Sequence, residues 1–203
     1  MGGHRGGEVA SRLAVEGIQK FCKENPDLNP RERLTKGVNQ SCQEIYRQSK
    51  MNEELSGMGT TVLALLIHQE TAYIAQVGDS RVYLLNTDGI WQVTEDHSLL
   101  NEEIRAGRID RDQAHNYQFK NVITRSVGYQ EEEDVDSSFI KLEDQDLLLL
   151  CSDGLHGKVS NRELSQMIKK HEIASVNKLV ELANNRGGDD NISIVIVKIQ
   201  VSN

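Results

Sequence analysis

Residues 60–93 read TTVLALLIHQETAYIAQVGDSRVYLLNTDGIWQV, a run of short apolar segments separated by polar turns. The segments are rich in β-branched and aromatic residues, which predicts strands. The predicted strands are Thr60–Ile67, Ala72–Val77, Arg81–Leu85 and Ile90–Val93. Between the last two, Thr87-Asp88-Gly89 is typical of a hairpin turn. We therefore expect this part of the chain to form a meander of antiparallel strands.

Two amphipathic helices are predicted before this stretch. From about Glu8 to Lys23, apolar residues recur at helical spacing, and Asn25-Pro26 supplies a stop signal. Asn29 followed by Pro30 is a typical helix cap and first-turn pair. A second helix should therefore begin there and extend to about Lys50.

The chain after residue 93 mixes helical and β-type patterns. Ser98–Lys120 is charged and weakly helical, and it interrupts the strands. Two short apolar runs, Leu147–Cys151 and Ile192–Ile199, predict strands that are covered on both faces. Helices are predicted between them, at Asn161–Lys170 and Ala174–Asn184. This order of elements predicts a single α+β layered domain of 203 residues without an internal linker.

Composition limits the class of partner. Lys and Arg total 23 against 31 Asp and Glu, a net charge of −8, which disfavours binding to nucleic acid. The three cysteines, Cys22, Cys42 and Cys151, have no CxxC spacing, so they predict neither a disulfide framework nor a thiolate zinc site. They fit a reducing cytoplasm, where we expect the protein. No run approaches the roughly 18 apolar residues that a membrane span needs, and the amino terminus is too polar for a secretory signal.

Three acidic residues adjoin predicted buried strands. Asp79 lies in VGDSR, Asp153 in CSDG and Asp190 in GGDDN. Each alone is typical of a turn, because Asp, Gly, Asn and Ser favour turn geometry. If the three converge, their charges need compensation, and divalent cations such as Mg²⁺ or Mn²⁺ prefer such oxygen ligands. Two ions of this kind can activate a water for displacement at phosphorus without a serine or cysteine nucleophile.

Short motifs occur in a fixed order along the whole chain. They are Met1-Gly2-Gly3-His4, Gly57–Thr61, Val77–Arg81, Ile123–Gly128, Ser152–Leu155 and Asp190–Ser193. Their order and approximate spacing resemble those of bacterial type 2C protein phosphatases, the PPM family. The resemblance implies a four-layer α/β/β/α sandwich of two antiparallel sheets flanked by helices. It further implies hydrolysis of phosphoserine and phosphothreonine in proteins by a metal-activated water, with two or three Mn²⁺ or Mg²⁺ ions, in opposition to a Ser/Thr kinase.

The resemblance also assigns roles to particular residues. Asp153 and Asp190 are expected to bind the two central metal ions, and Asp79 to help hold an additional, weaker one. His4 is expected to assist proton transfer to the departing serine or threonine oxygen, with a purely structural role as the alternative. The segment Ser98–Lys120 corresponds to the flap beside the active site.

Other polar residues have less specific interpretations. Asp189 either tunes Asp190 as a solvated neighbour or caps the turn. Arg81 and Arg125 have the side chain that clamps phosphate, but we expect both to brace loops through backbone and carboxylate bonds. No functional role is assigned to the residues without metal-ligand spacing or with an expected packing role, which are His97, His115, His156 and Trp91.

The chain departs from the family pattern at its amino terminus. The family motif reads Asp-Gly-Met-Gly-Gly-His, and this chain begins at the Met of that motif. The metal-binding Asp-Gly pair is therefore missing, as are an upstream phosphate-binding Arg and an acidic segment. We interpret this as a misplaced start or a fragment, and expect the chain as written to be impaired in turnover. Two other functions remain open: a catalytically inactive PPM-like regulatory or binding module, and a phosphoacceptor receiver domain. The receiver needs a parallel sheet, which the predicted meander disfavours.

Overall fold

The computed structural model describes residues 6–201, without the side chains of Arg111 and His115. His4 and its motif therefore lie outside the described residues. The described residues divide into two units: residues 6–79 with 96–140, and residues 80–95 with 141–201. Each unit has its own sheet, helices and apolar core.

Residues 6–201 contain six α-helices and seven β-strands. The helices are α1 (Gly7–Glu24), α2 (Pro30–Met51), α3 (Leu99–Arg105), α4 (Asp153–His156), α5 (Asn161–His171) and α6 (Ser175–Asn185). The strands are β1 (Val62–His68), β2 (Thr71–Val77), β3 (Arg81–Leu85), β4 (Ile90–Gln92), β5 (Asp136–Lys141), β6 (Leu147–Cys151) and β7 (Ile194–Lys198). None of these helices is both long enough and apolar enough to cross a membrane.

The first unit packs α2 against a sheet with the strand order β1-β2-β5 and α1 against α2, and both helices contribute side chains to one apolar core. The Asn29 side chain accepts the Glu32 backbone N–H at 2.9 Å, and Pro30 occupies the first turn, so α2 begins where these residues favour a start. β1 and β2 form an antiparallel hairpin in which Val62 lies opposite Val77. The core between helices and sheet buries small and branched side chains, among them Ala10, Val38 and Ile45.

The second unit packs α4, α5 and α6 on a sheet with the order β4-β3-β6-β7, in which every pair is antiparallel. Leu147, Leu149 and Cys151 of β6 face the helices, and the intervening Leu148 is also fully buried. β6 is therefore covered on both faces, as its continuous apolar run predicted. Its carboxyl end leads directly into α4, which places residue 153 at the rim of the sheet.

The structure confirms the α+β class with two antiparallel sheets flanked by helices, but it corrects the pairing within residues 60–93. β2 and β3 belong to different sheets, so these four strands form two separate hairpins and the predicted meander is wrong. The change of sheet occurs at Gly78, whose φ of +106° lies in the region that favours glycine. Alternating hydrophobicity predicts that a segment is a strand, but it does not identify the strand's neighbour.

The last predicted strand also needs correction. β7 is shorter than the apolar run Ile192–Ile199, and Val195 is 55% exposed, so this strand is not covered on both faces. The reason is its position as an outer strand of the described sheet, paired with β6. The segment Ser98–Lys120 is helical as expected, with α3 followed by a 3₁₀ helix at Arg111–Asn116.

Candidate metal centre

Asp153 is the first residue of α4, directly after β6 and Ser152. It is half-buried, and its Oδ1 accepts the backbone N–H of Gly154 at 2.9 Å. This local bond folds the carboxylate over the first turn of α4. One carboxylate of the predicted centre is thus held at the carboxyl end of a central strand.

Asp190 lies in the loop between α6 and β7 and is exposed. Its Oδ1 accepts the backbone N–H of Asn191 at 2.7 Å. The two acidic residues therefore share one local arrangement, in which the carboxylate accepts the N–H of the following residue.

Ser152 joins the two loops. Its Oγ donates to the carbonyl of Asn191 at 3.0 Å and accepts the N–H of Ser193 at 3.0 Å. Its backbone N–H donates to the carbonyl of Ser193 at 3.1 Å, which continues the pairing of β6 with β7. Gly154 allows the close approach, because a Cβ there would lie 2.3 Å from the Asn191 carbonyl oxygen. The sequence brings residues 153 and 190 together through these contacts.

The electrostatics of the pair are unfavourable without a cation. Partial burial, followed by the negative charge of Asp190, raises the pKa of the Asp153 carboxyl, and the Gly154 N–H opposes this only in part. Two converging carboxylates with oxygen donors fit a hard divalent cation, which would compensate both charges. Among residues 6–201, no group of three or more His, Cys, Asp or Glu side chains is arranged to hold one ion. The described chain thus offers a carboxylate pair.

A second set of bonds holds the other side of the Asp190 loop. Arg186 Nη1 donates to the carbonyl of Lys158 at 2.8 Å, and Arg186 Nη1 and Nη2 reach the two Glu163 oxygens at 3.0 and 2.5 Å. The Lys158 ammonium contacts the Asp189 carboxylate. Asp189 is therefore ion-paired with Lys158. The sequence interpretation missed these partners, although Ser160-x-x-Glu163 is a recognisable capping signature.

Asp79 lies in the first unit, half-buried and directly after Gly78 at the end of β2. Arg125, in the same unit, makes the bracing bonds expected of it. Its Nη1 donates to Asp136 Oδ1 at 2.9 Å, its Nη2 donates to the carbonyl of Asp134, and its Nε lies 3.5 Å from a Glu133 oxygen. In the second unit, Arg81 donates to the Tyr83 hydroxyl at 3.1 Å.

Comparison with known proteins shows the same fold in phosphatases. The family model described as protein phosphatase 2C matches residues 1–192. The serine/threonine phosphatase stp of Listeria innocua is 38% identical over 206 residues, which cover 98% of this chain and 81% of that protein. The solved serine/threonine phosphatase PstP/Ppp of Mycobacterium tuberculosis superposes with a TM-score of 0.92 at 32% identity, covering 99% of this chain and 86% of that one.

A second solved structure, the catalytic domain of PstP in complex with two manganese ions, superposes with a TM-score of 0.87 at 32% identity, covering 99% of this chain and 85% of that one. Together with the antiparallel sheets and the acidic strand rims, these matches show that the chain belongs to the protein phosphatase 2C family. It is a bacterial PPM-type serine/threonine phosphatase, and its substrates are accordingly phosphoproteins.

Proposed function

We propose that this phosphatase removes phosphate from serine and threonine side chains by using divalent cations held between Asp153 and Asp190. The observation that carries the proposal is the convergence of these two carboxylates on loops locked together by Ser152. The two negative charges repel each other, and a bound cation removes this repulsion, which strengthens the binding of the cation. The proposal thus explains why two acidic side chains are held close together at the rim of the sheet.

In this proposal the chain's own residues bind the metal ions and transfer a proton. Asp153 and Asp190 present oxygen ligands from two fixed loops, and Asp79 supplies a carboxylate for an additional, weaker ion. His4 delivers a proton to the departing serine or threonine oxygen. Divalent cations, when bound, polarise the phosphoryl group and lower the pKa of a nucleophilic water. We propose Mn²⁺ or Mg²⁺, because all-oxygen ligands suit both and the related PstP domain was solved with manganese.

The substrates that we propose are proteins phosphorylated by a Ser/Thr kinase with which this phosphatase shares targets. Phosphoserine and phosphothreonine in proteins are made by Ser/Thr kinases, so the proteins that such a kinase phosphorylates are the substrates available to this phosphatase. A cytoplasmic location, predicted from cysteine usage, forms part of this proposal. The flap role of Ser98–Lys120 also belongs to it.

The test compares three carboxylate-to-amide variants, made in a protein that also carries the family's Asp-Gly pair ahead of Met1, in Mn²⁺-dependent hydrolysis of p-nitrophenyl phosphate and of a phosphothreonine peptide. Asp153→Asn and Asp190→Asn should each lose on the order of 10²-fold or more in kcat/KM, because each removes a ligand of the cation. Asp189→Asn is the matched control, since it removes only an exposed ion pair with Lys158. It should retain activity within about threefold.

Activity that persists in excess chelator, or that survives in Asp153→Asn, would overturn the metal mechanism. A wild-type protein that binds the phosphopeptide without turning it over, with or without Mn²⁺, would instead support the inactive binding module. Equal losses in Asp189→Asn and Asp190→Asn would reject the assignment of the second ligand to Asp190.

A further inference from the structure

Gly78, the residue before Asp79, has a conformation and surroundings that suit only glycine. Its φ is +106°, and a Cβ there would lie 2.4 Å from Thr61 Cγ2. The residue is buried at the end of β2. The direction in which Asp79 leaves the sheet is therefore set by the peptide groups of a single constrained residue.

His97 contacts both polar groups of that residue. Its ring Nδ1 accepts the Gly78 N–H at 3.0 Å, and its own backbone N–H donates to the Gly78 carbonyl at 3.0 Å. The Gln76 side chain donates to the same carbonyl at 3.1 Å. His97 is only 7% exposed, so water competes weakly for these bonds. The backbone before Asp79 is thus clamped from both sides by one histidine.

The far side of the His97 ring faces an ion pair. Nε2 lies 3.1 Å from Asp136 Oδ2, and Arg125 Nη1 lies 3.0 Å from Nε2 and 2.9 Å from Asp136 Oδ1. Partial burial works against ionisation of Asp136, but the hydrogen bonds from His97 and Arg125 outweigh it, and the pKa of this carboxyl is lowered. Asp136 is thus ionised at neutral pH and can only accept hydrogen bonds.

These contacts define the tautomer of His97. A backbone N–H always donates, so Nδ1 must carry its lone pair toward Gly78. The proton of the neutral ring is then on Nε2, where the Asp136 carboxylate accepts it. Arg125 Nη1 can only donate, so its 3.0 Å approach to Nε2 brings two donors together, and the Asp136 carboxylate that accepts from both offsets their repulsion. Arg125 holds that carboxylate in place by donating to its other oxygen.

We propose that His97 is a positioning residue of the phosphatase: its Nε2–H tautomer, fixed by Asp136 and Arg125, holds the Gly78 peptide and thereby aims Asp79 at its metal ion. The proposal rests on the role given to Asp79 above. His97 acts through the backbone and touches neither substrate nor ion. Partners that orient a metal ligand in this way commonly change metal affinity by about 10- to 100-fold when they are removed.

Asp136→Asn tests the tautomer without altering any group that contacts Gly78. Its amide oxygen can keep the Arg125 bond, so its NH₂ group faces His97 Nε2. The ring must then accept at Nε2 and carry its proton on Nδ1, against the Gly78 N–H. Two-bond ¹H–¹⁵N correlation spectra should show protonated Nε2 in the wild type and protonated Nδ1 in Asp136→Asn. Asp136 is 54% exposed, so the variant should fold.

The expected consequences are measured at the backbone and at the metal. In Asp136→Asn, hydrogen exchange of the Gly78 amide should quicken about tenfold through loss of one hydrogen bond. In a calorimetric titration, the Mn²⁺ concentration that half-saturates the weaker binding step, which we assign to the ion at Asp79, should rise by about 10-fold or more. Asp134→Asn is the matched control, because Arg125 bonds to the backbone carbonyl of Asp134, which the substitution keeps, and it should behave as the wild type. Unchanged exchange and Mn²⁺ affinity in Asp136→Asn would overturn the proposal.

Two changes of His97 itself separate positioning from mere packing. His97→Asn places an amide oxygen near the site of Nδ1, so it should keep the Gly78 bond and most of the Mn²⁺ affinity. His97→Gln reaches toward Asp136 and leaves the Gly78 N–H unpaired, so it should lose both. If the two variants lose Mn²⁺ affinity equally while their melting temperatures fall equally, His97 serves only stability and the inference fails.

Asp79→Asn provides the reference for the weak metal step. If that step is lost in Asp79→Asn but unchanged in His97→Gln, the role of Asp79 stands and the inference about His97 falls. If Asp79→Asn leaves the Mn²⁺ titration unchanged, Asp79 does not bind a metal ion, and the proposed role of His97 in orienting it for that ion is also wrong. The Gly78 exchange rate would then still report whether His97 holds the peptide.

Discussion

Gly154 controls the distance between the two carboxylate loops. It is buried, and a Cβ would lie 2.3 Å from the Asn191 carbonyl oxygen and 2.9 Å from its carbon, so the backbone at residues 190–191 must move to admit a methyl group. We expect Gly154→Ala to lower the free energy of unfolding by about 1–3 kcal/mol, as is typical of overpacking. It should also raise the Mn²⁺ concentration needed for half-maximal activity, because Asp190 is displaced from Asp153. Urea denaturation and a Mn²⁺ titration measure the two effects.

Gly7→Ala is the matched control for this change, because no atom of the described residues lies within 4 Å of the added Cβ and the residue is in a helix. It should leave the Mn²⁺ titration unchanged, with stability unchanged or slightly increased. A Gly154→Ala protein with wild-type stability and Mn²⁺ dependence would show that residues 153 and 190 tolerate separation.

At the scale of single residues, the sequence identified the acidic positions but not the groups that hold them. Asp153 and Asp190 stand in short motifs with Gly and Asn neighbours, so each could be found locally. His97 could not, because its partners Gly78 and Asp136 are far from it along the chain and its bonds depend on tertiary structure. The turn and metal-ligand interpretations of the acidic motifs do not exclude each other. In both motifs the bond to the N–H of the next residue is made by Oδ1, so the carboxylate still has a second oxygen.

The first turn of α5 is the element that anchors the Asp190 loop. Ser160 and Glu163 form a capping box, and Glu163 also receives both terminal nitrogens of Arg186 at the end of α6. The Arg186 bonds first, then those from Ser160, lower the pKa of Glu163. A lowered pKa in the folded state contributes stability above the unfolded pKa, near 4.3, and this contribution is lost as the pH falls below it.

Glu163→Gln should therefore lower the unfolding free energy at pH 7 and flatten its decrease between about pH 4.5 and pH 2. The measurement is urea denaturation at a series of pH values, compared with the wild type. Ser160→Ala is the control, because it keeps the Arg186 pair and should retain most of the acid dependence, while losing about 1 kcal/mol from the missing cap. Parallel pH profiles for Glu163→Gln and the wild type would contradict the assignment.

At the scale of elements, helix positions followed from local chemistry while sheet pairing did not. The predicted helix at Asn161–Lys170 is observed as α5, and the one at Ala174–Asn184 as α6, because apolar spacing and caps act within a few residues. The assignment of β2 and β3 to separate sheets depends on one glycine conformation and on long-range pairing with β5 and β6. A period-2 pattern contains no information about either.

For the molecule as a whole, the carboxylate pair links metal binding to stability. A ligand that binds only the folded state stabilises it by RT ln(1 + [L]/Kd), or about 2.7 kcal/mol at a hundredfold excess over Kd. Mn²⁺ should therefore raise the melting temperature of the wild-type protein, and chelator should reverse the increase. Asp153 and Asp190 lie in the second unit, so the increase should be seen first in the unfolding of that unit.

Asp153→Asn should change the order of stability of variant and wild type between chelator and Mn²⁺. The pKa of Asp153 is raised in the folded protein, by burial first and by Asp190 second, so its ionised form opposes folding at neutral pH. That penalty is absent below the unfolded pKa and develops as the pH rises through the folded pKa, and Asn removes it. In chelator at pH 7 the variant should melt at or above the wild-type temperature, whereas in excess Mn²⁺ the wild type should melt higher. Differential scanning calorimetry under both conditions measures the crossing. A variant less stable than the wild type in chelator would mean that Asp153 serves the fold, because a residue whose purpose is to hold a cation costs stability until the cation is bound.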